Sequence, residues 1–149
     1  MSDVADDLYE TDYVLWSSRQ AEALRRRAAN EIDWENVAEE IESLGRSDRR
    51  QVGNRILSIL QHLMCLQASP SLDQRTGWRV TIVKSRQRLA NLLDESPSLR
   101  PAVPGVIVEK LPAARKLAAL SLEEHGEDPR IALERLTYDE EQVLGDWLP

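Results

Sequence analysis

Phenylalanine is missing from this chain, and 149 residues hold a single cysteine and two histidines. Cys65 alone can form no internal disulfide and cannot be half of a CxxC redox or metal pair. Two separated histidines with no cysteine cluster leave no structural zinc set, so no metal is expected. Long apolar runs are also missing. The richest, Ile56 to Leu66, is broken by Ser58, Gln61 and His62 and is too short and too polar to cross a bilayer. The start, Met1 to Asp7, is acidic where a secretory signal would be basic and then apolar. A cytoplasmic protein without membrane association is the expectation. Glycine is scarce, and Gly45 and Gly53 do not build a GxGxxG or GKS/GKT phosphate loop, so no cofactor is expected.

What the chain does contain is apolar and charged in globular proportion, 42% and 30%. That excludes a disordered tail. One helical-bundle domain over residues 1–149 is expected, with residues 1–8 as a disordered or extended amino-terminal stretch. The net charge of −7 is unevenly spread: from Arg46 to Leu92, nine Lys/Arg stand against two acids, Asp48 and Asp73. Either basic helices pack beside acidic ones, or this stretch offers a face to an anion or a nucleic acid. The overall acidity argues against nucleic acid.

Hydrophobic spacing is helical nearly throughout. Thr11 or Asp12 can cap a first helix reaching about Ala29, with Tyr13, Trp16, Gln20, Leu24 and Ala28 inward. Asp33 can cap a second, with Trp34, Val37, Ala38, Ile41 and Leu44 as its stripe, Glu35, Glu39 and Glu42 facing away, and Gly45 as its left-handed exit. Ser47 can cap a third, to about Ala68, whose face is Val52, Ile56, Ile59, Leu60, Leu63 and Leu66. A fourth spans Trp78 to Glu95 with Trp78, Ile82, Ser85, Leu89, Leu92 and Leu93 aligned. Val103, Ile107, Leu111, Ala114, Ala118 and Ser121 share a face in a fifth. Pro112 either bends that helix or marks its start, with Val106 to Val108 then extended. Thr137 to Glu140 reads as a capping box for a short last helix closed by Gly145, and Trp147 and Leu148 are expected to tuck against the bundle. Short connections between such helices predict an all-α, up-and-down antiparallel bundle of four to five main helices plus a short C-terminal one.

Several blocks of residues carry a family likeness in their order and spacing. They are Leu8-Tyr9-Glu10-Thr11-Asp12-Tyr13 with Trp16, Ile32 to Glu42, and Leu44-Gly45-Arg46-Ser47. His62-Leu63-Met64, Trp78 with Ile82 and Arg86, Ser96 to Pro101, and Glu141 to Leu144 with Trp147-Leu148-Pro149 complete the set. Over Leu8 to Pro149 the chain resembles a bacterial family known only as a domain of unknown function, number twenty-nine. The resemblance implies an all-helical bundle and no reaction. Cys65 and Leu66 stand where that family usually has a basic residue and a tryptophan, and Pro104 and Pro112 fall where its members tend to continue a charged helix.

The candidate chemistry is thin. His62 sits at the edge of its helix stripe, as a packed ring or as a general base or metal ligand. Glu40 is the best-placed acid to join it, and Arg86 can pair with Glu40. Arg79 and Arg86 flank the Trp78 stripe, so His62, Glu40, Arg86 and Arg79 form a candidate polar cluster. Trp16, Trp34 and Trp78 form a candidate aromatic core or groove. Ser85 lacks a GxSxG frame and reads as a small packing residue. Cys65 reads as buried, and His125 as a helix end. The leading expectation is a bundle that binds a protein partner or itself, with no assigned activity. One alternative is a metal-dependent or hydrolase-like enzyme using His62 with inward carboxylates. The other is anion or nucleic-acid binding on the basic 46–92 face.

Overall fold

Two helix starts in this chain are set by aspartates that take up free backbone N–H groups. Asp12 does so for α1, Tyr13–Arg26, where its Oδ1 accepts from the Leu15 N–H at 3.0 Å. The helix ends three residues before the expected Ala29. Arg27 turns left-handed (φ 57), which lets the Ala28 N–H reach back to the Ala23 carbonyl at 2.9 Å. A 3-10 turn, Ala29–Glu31, follows. The computed structural model describes residues 8–149, and among these there is no β-strand; the fold is all-α with a helical bundle. The disordered or extended stretch expected for residues 1–8 lies outside the described residues except for Leu8, which opens a helical turn and accepts from the Asp12 N–H.

The second and third helices expected from the sequence are one. α2 runs unbroken from Trp34 to Ala68, 35 residues and about 52 Å at 1.5 Å per residue. Gly45 is not an exit and Ser47 is not a cap. A helix-interior glycine costs only about 1 kcal/mol, and Arg46 braces the backbone around it. Its guanidinium reaches Glu39 at 2.6 Å, the Ser43 hydroxyl at 2.9 Å and Glu42 at 3.7 Å.

α3 spans Arg75–Glu95, starting a turn earlier than expected, and α4 spans Val103–Glu124 after a 3-10 stretch, Pro97–Ala102. Residues 106–108 are therefore helical, and Pro112 lies inside α4 rather than at its start. Its missing N–H would have bonded the carbonyl of Val108, a residue 69% exposed, so water can take that acceptor. α5, Glu140–Leu144, is opened by a capping box two residues later than expected. Asp139 accepts from the Gln142 N–H at 2.8 Å, and Gln142 Oε1 accepts from the Asp139 N–H at 3.0 Å.

The chain falls into two compact units, one ending at Ser47 and the other beginning at Asp48. In the second, Val52, Ile56, Ile59, Leu60 and Leu63 of α2 are buried with Trp78, Ile82, Leu89 and Leu93 of α3. Val103, Ile107, Ala114, Ala118 and Leu122 of α4 and Val143 of α5 share that core, and Trp147 and Leu148 pack against it. Each expected stripe for these helices is present. The first unit is different. Among its described residues only Trp16, Gln20 and Ala23 are buried. Tyr13 and Leu24, expected to face inward, are exposed, as are Trp34, Ile41 and Leu44.

Candidate functional site

In the first unit, two of the sequence blocks close on each other. Tyr9 and Tyr13, one helical turn apart, both donate to Glu40: Tyr9 to Oε1 and Tyr13 to Oε2 at 2.6 Å. Their rings pack edge-on at 5.9 Å between centroids, Tyr9 meets Trp16 edge-on at 4.7 Å, and Tyr13 stacks on Trp16 at 5.8 Å. Trp16 Nε1 donates to Asp33 Oδ2 at 3.2 Å, and the Asp33 N–H donates to the buried Gln20 side chain at 2.7 Å. Both oxygens of Glu40 are thus engaged by phenols. Hydrogen bonding from Tyr13 and then Tyr9 holds its carboxyl below the usual range, and the same carboxylate pushes the Tyr9 phenol up to about 12 and the Tyr13 phenol upward. Tyr9 and Tyr13 did not stand out as a pair with Glu40, because their partner lies some thirty residues away; the one local signal is that both tyrosines sit on one face of a helical turn.

Arg86, expected to pair with Glu40, has other partners. Its Nε donates to the Val143 carbonyl at 3.0 Å, and its Nη2 to the carbonyls of Gln142 at 2.6 Å and Trp147 at 2.7 Å. Burial lowers its pKa. Two further arginines act alike. Arg115 donates to the carbonyls of Leu133 and Leu136, and Arg75 to those of Leu66 and Pro149. The reason is local. All of these acceptors but Leu66 belong to residues 125–149, which have little regular structure, and Leu66 lies in the last turn of α2; such carbonyls lack helical donors, and guanidinium forks supply them.

His62 is half-buried, and its Nδ1 donates to the Ser58 carbonyl one turn back at 2.7 Å. Arg79 is exposed. His62, Glu40, Arg86 and Arg79 therefore do not share a bonding network. Among the described residues no group of three or more His, Cys, Asp or Glu is placed to hold a metal ion. Of the three tryptophans grouped from the sequence, Trp16 and Trp78 are buried in the first and second units respectively. Trp34 is a correction: it is 60% exposed, and its indole N–H bonds the Ala29 carbonyl at 3.2 Å. Ser85 lies buried with its hydroxyl toward Ser58, and burial pushes the Cys65 thiol up to about 11. No helix is long and apolar enough to cross a membrane among the described residues.

What sequence reasoning missed is a ridge. Along α2, Trp34, Val37, Ile41 and Leu44 recur at steps of three and four, and Ile41 and Leu44 are 64% and 69% exposed. At about 100° per residue they share one face of the helix. Glu35, Glu39 and Glu42 lie on the side of the helix away from the ridge, where Arg46 pairs with Glu39 and Glu42. In the second unit a groove of about 340 Å³ is lined by Val52, Leu99 and Val106 together with Arg49, Arg50, Lys110 and Glu109, the last two 4.0 Å apart. Gly53 lies under it: a Cβ there would come within 3.1 Å of Lys110 Cε, so the missing side chain lets Lys110 lie across the helix.

No curated protein and no solved structure matches the chain. A family model described as Domain of unknown function DUF29 matches residues 8–148, which takes in the Tyr–Glu40 cluster, the α2 ridge and the arginine-clamped tail together, and the chain belongs to that family.

Proposed function

We propose that this protein works by holding another protein chain against the exposed ridge of α2. The observation that carries this reading is the alignment of Trp34, Ile41 and Leu44 on one face. Single exposed apolar side chains are ordinary on protein surfaces. Large ones in a row at three- and four-residue steps are the seam that helices use to interlock. Burying three such side chains contributes roughly 5–9 kcal/mol, against an association cost of about 4–15 kcal/mol. The contact then depends on polar groups at its rim for the rest of its affinity. A cytoplasmic setting belongs to the same reading, and an unpaired buried thiol at Cys65 suits a reducing compartment.

Replacing Ile41 with a photo-crosslinking amino acid in the native cell tests the reading. Irradiation should give a covalent adduct to a protein, and that adduct should vanish when Leu44→Glu is added. A chain that stays uncrosslinked at Ile41, while a probe placed elsewhere on its surface does react, would overturn the reading.

A further inference from the structure

We propose that the groove between α2, the 3-10 stretch Pro97–Ala102 and α4 binds a small amphipathic anion, an apolar body carrying one carboxylate or phosphate head. The groove lies wholly in the second unit, and the inference does not depend on the α2 ridge. Its floor is apolar, from Val52, Leu99 and Val106. Its other lining includes three cations, Arg49, Arg50 and Lys110, against one acid, Glu109.

The backbone brings those cations to one place. Arg49 and Arg50 stand four and three residues before Gly53, so the three positions share one face of α2. Lys110 reaches that face from α4: its Cε lies 3.1 Å and its Nζ 3.6 Å from where a Cβ on Gly53 would stand. A side chain at residue 53 would push the lysine stem aside. Neither Arg49 nor Arg50 has an ion pair among the described residues. Lys110 meets Glu109 only at 4.0 Å, and the Glu109 side chain is 69% exposed. Cations gathered with too few acids repel one another, and an anion set among them removes that repulsion. Guanidinium forks bind carboxylate and phosphate oxygens in pairs. The apolar floor offers nothing to an inorganic ion, but it lets an apolar body leave water. The groove, about 340 Å³, is at the lower end of ligand sites and holds roughly eleven heavy atoms at about 30 Å³ each, close to the size of octanoate.

Heteronuclear NMR of the full chain titrated with octanoate tests this, with octyl phosphate, 1-octanol and inorganic phosphate as the other probes. Octanoate or octyl phosphate should move the amide signals of Gly53, Leu99 and Val106, and the tighter of the two names the head. 1-Octanol lacks the charge and inorganic phosphate lacks the body, so each should bind about tenfold more weakly or worse. Lys110→Met keeps the apolar stem and removes the charge, and it should weaken binding about fivefold or more. Glu109→Gln should tighten binding, a direction that a role in packing alone does not give. No shifts with either amphipathic anion up to about 10 mM would overturn the proposal. Shifts confined to Ile41 and Leu44, or 1-octanol or inorganic phosphate binding as tightly as octanoate, would overturn it too. If circular dichroism shows Lys110→Met to be unfolded, Glu109→Gln, at an exposed position, still decides: unchanged or weaker binding there would count against the site.

Discussion

At the scale of single residues, the arginines do the least expected work. Arg86 bonds three carbonyls of the C-terminal segment, and removing it leaves all three short of a donor. Hydrogen bonds to a charged group contribute about 1.5–3 kcal/mol each; because Arg86 is half-buried and water can take some of the freed carbonyls, Arg86→Ala should lower the stability of the second unit by about 3 kcal/mol, less than the sum of the three bonds. Arg79→Ala, at an exposed position on the same helix, should change it by less than about 0.5 kcal/mol. Chemical denaturation followed by circular dichroism separates the two. Glu40 and its tyrosines predict a pH dependence with two limbs. A carboxyl held below its unfolded value adds stability that is present above that value and is lost as pH falls through the folded one. A phenol held up to about 12 adds stability that is present below its ordinary 10.0 and is lost as pH climbs through the folded value. Trp16 fluorescence reads both limbs. In Glu40→Gln the acid limb should shrink relative to the unaltered chain; an identical acid limb would show that the carboxylate contributes nothing there.

At the scale of elements, what is local was readable. Asp12 caps α1 as its position suggests, and the stripes from Val52 to Leu66, Trp78 to Leu93 and Val103 to Ala118 each turn one face inward, because spacing alone decides which side chains share a face. What depends on distant chain was not. Gly45 followed by Ser47 has the local signature of a stop and a restart, yet the bonds from Arg46 to Glu39 and Glu42 carry the helix through. The stripe Trp34 to Leu44 has the pattern of a buried face, and the spacing cannot say whether anything covers it. For Arg86 the sequence suggests an acid partner, because its true acceptors lie more than fifty residues on, in a segment with no pattern of its own. Pro112 gives a test at this scale. Because it sits on an exposed turn inside α4, Pro112→Ala restores a backbone donor and should raise the melting temperature by the equivalent of about 1–3 kcal/mol. A fall instead would mean that the proline's restriction of the unfolded chain outweighs the regained bond.

At the scale of the whole molecule, the two units differ in how much interior they have. The second has a broad apolar core, while the described part of the first shields only Trp16, Gln20 and Ala23. Thermal unfolding should therefore proceed in two steps, the earlier one reported by loss of amide protection around Gln20 and Asp33. The Cys65 thiol, buried and with its pKa pushed up to about 11, should stay unreactive to alkylating reagents through that first step and become labelled only in the second. Labelling that begins with the first step would show that the units melt together.

The unbroken course of α2 also settles how this molecule can be divided. Packing separates residues up to Ser47 from those after Asp48, but the backbone ladder does not, since the N–H groups just after any cut there draw on carbonyls just before it. A fragment starting at Asp48 would begin with orphaned donors one turn from Val52 and fray into its own interior. A swap of the acidic half between relatives would have to exchange the rod itself, not a hinge.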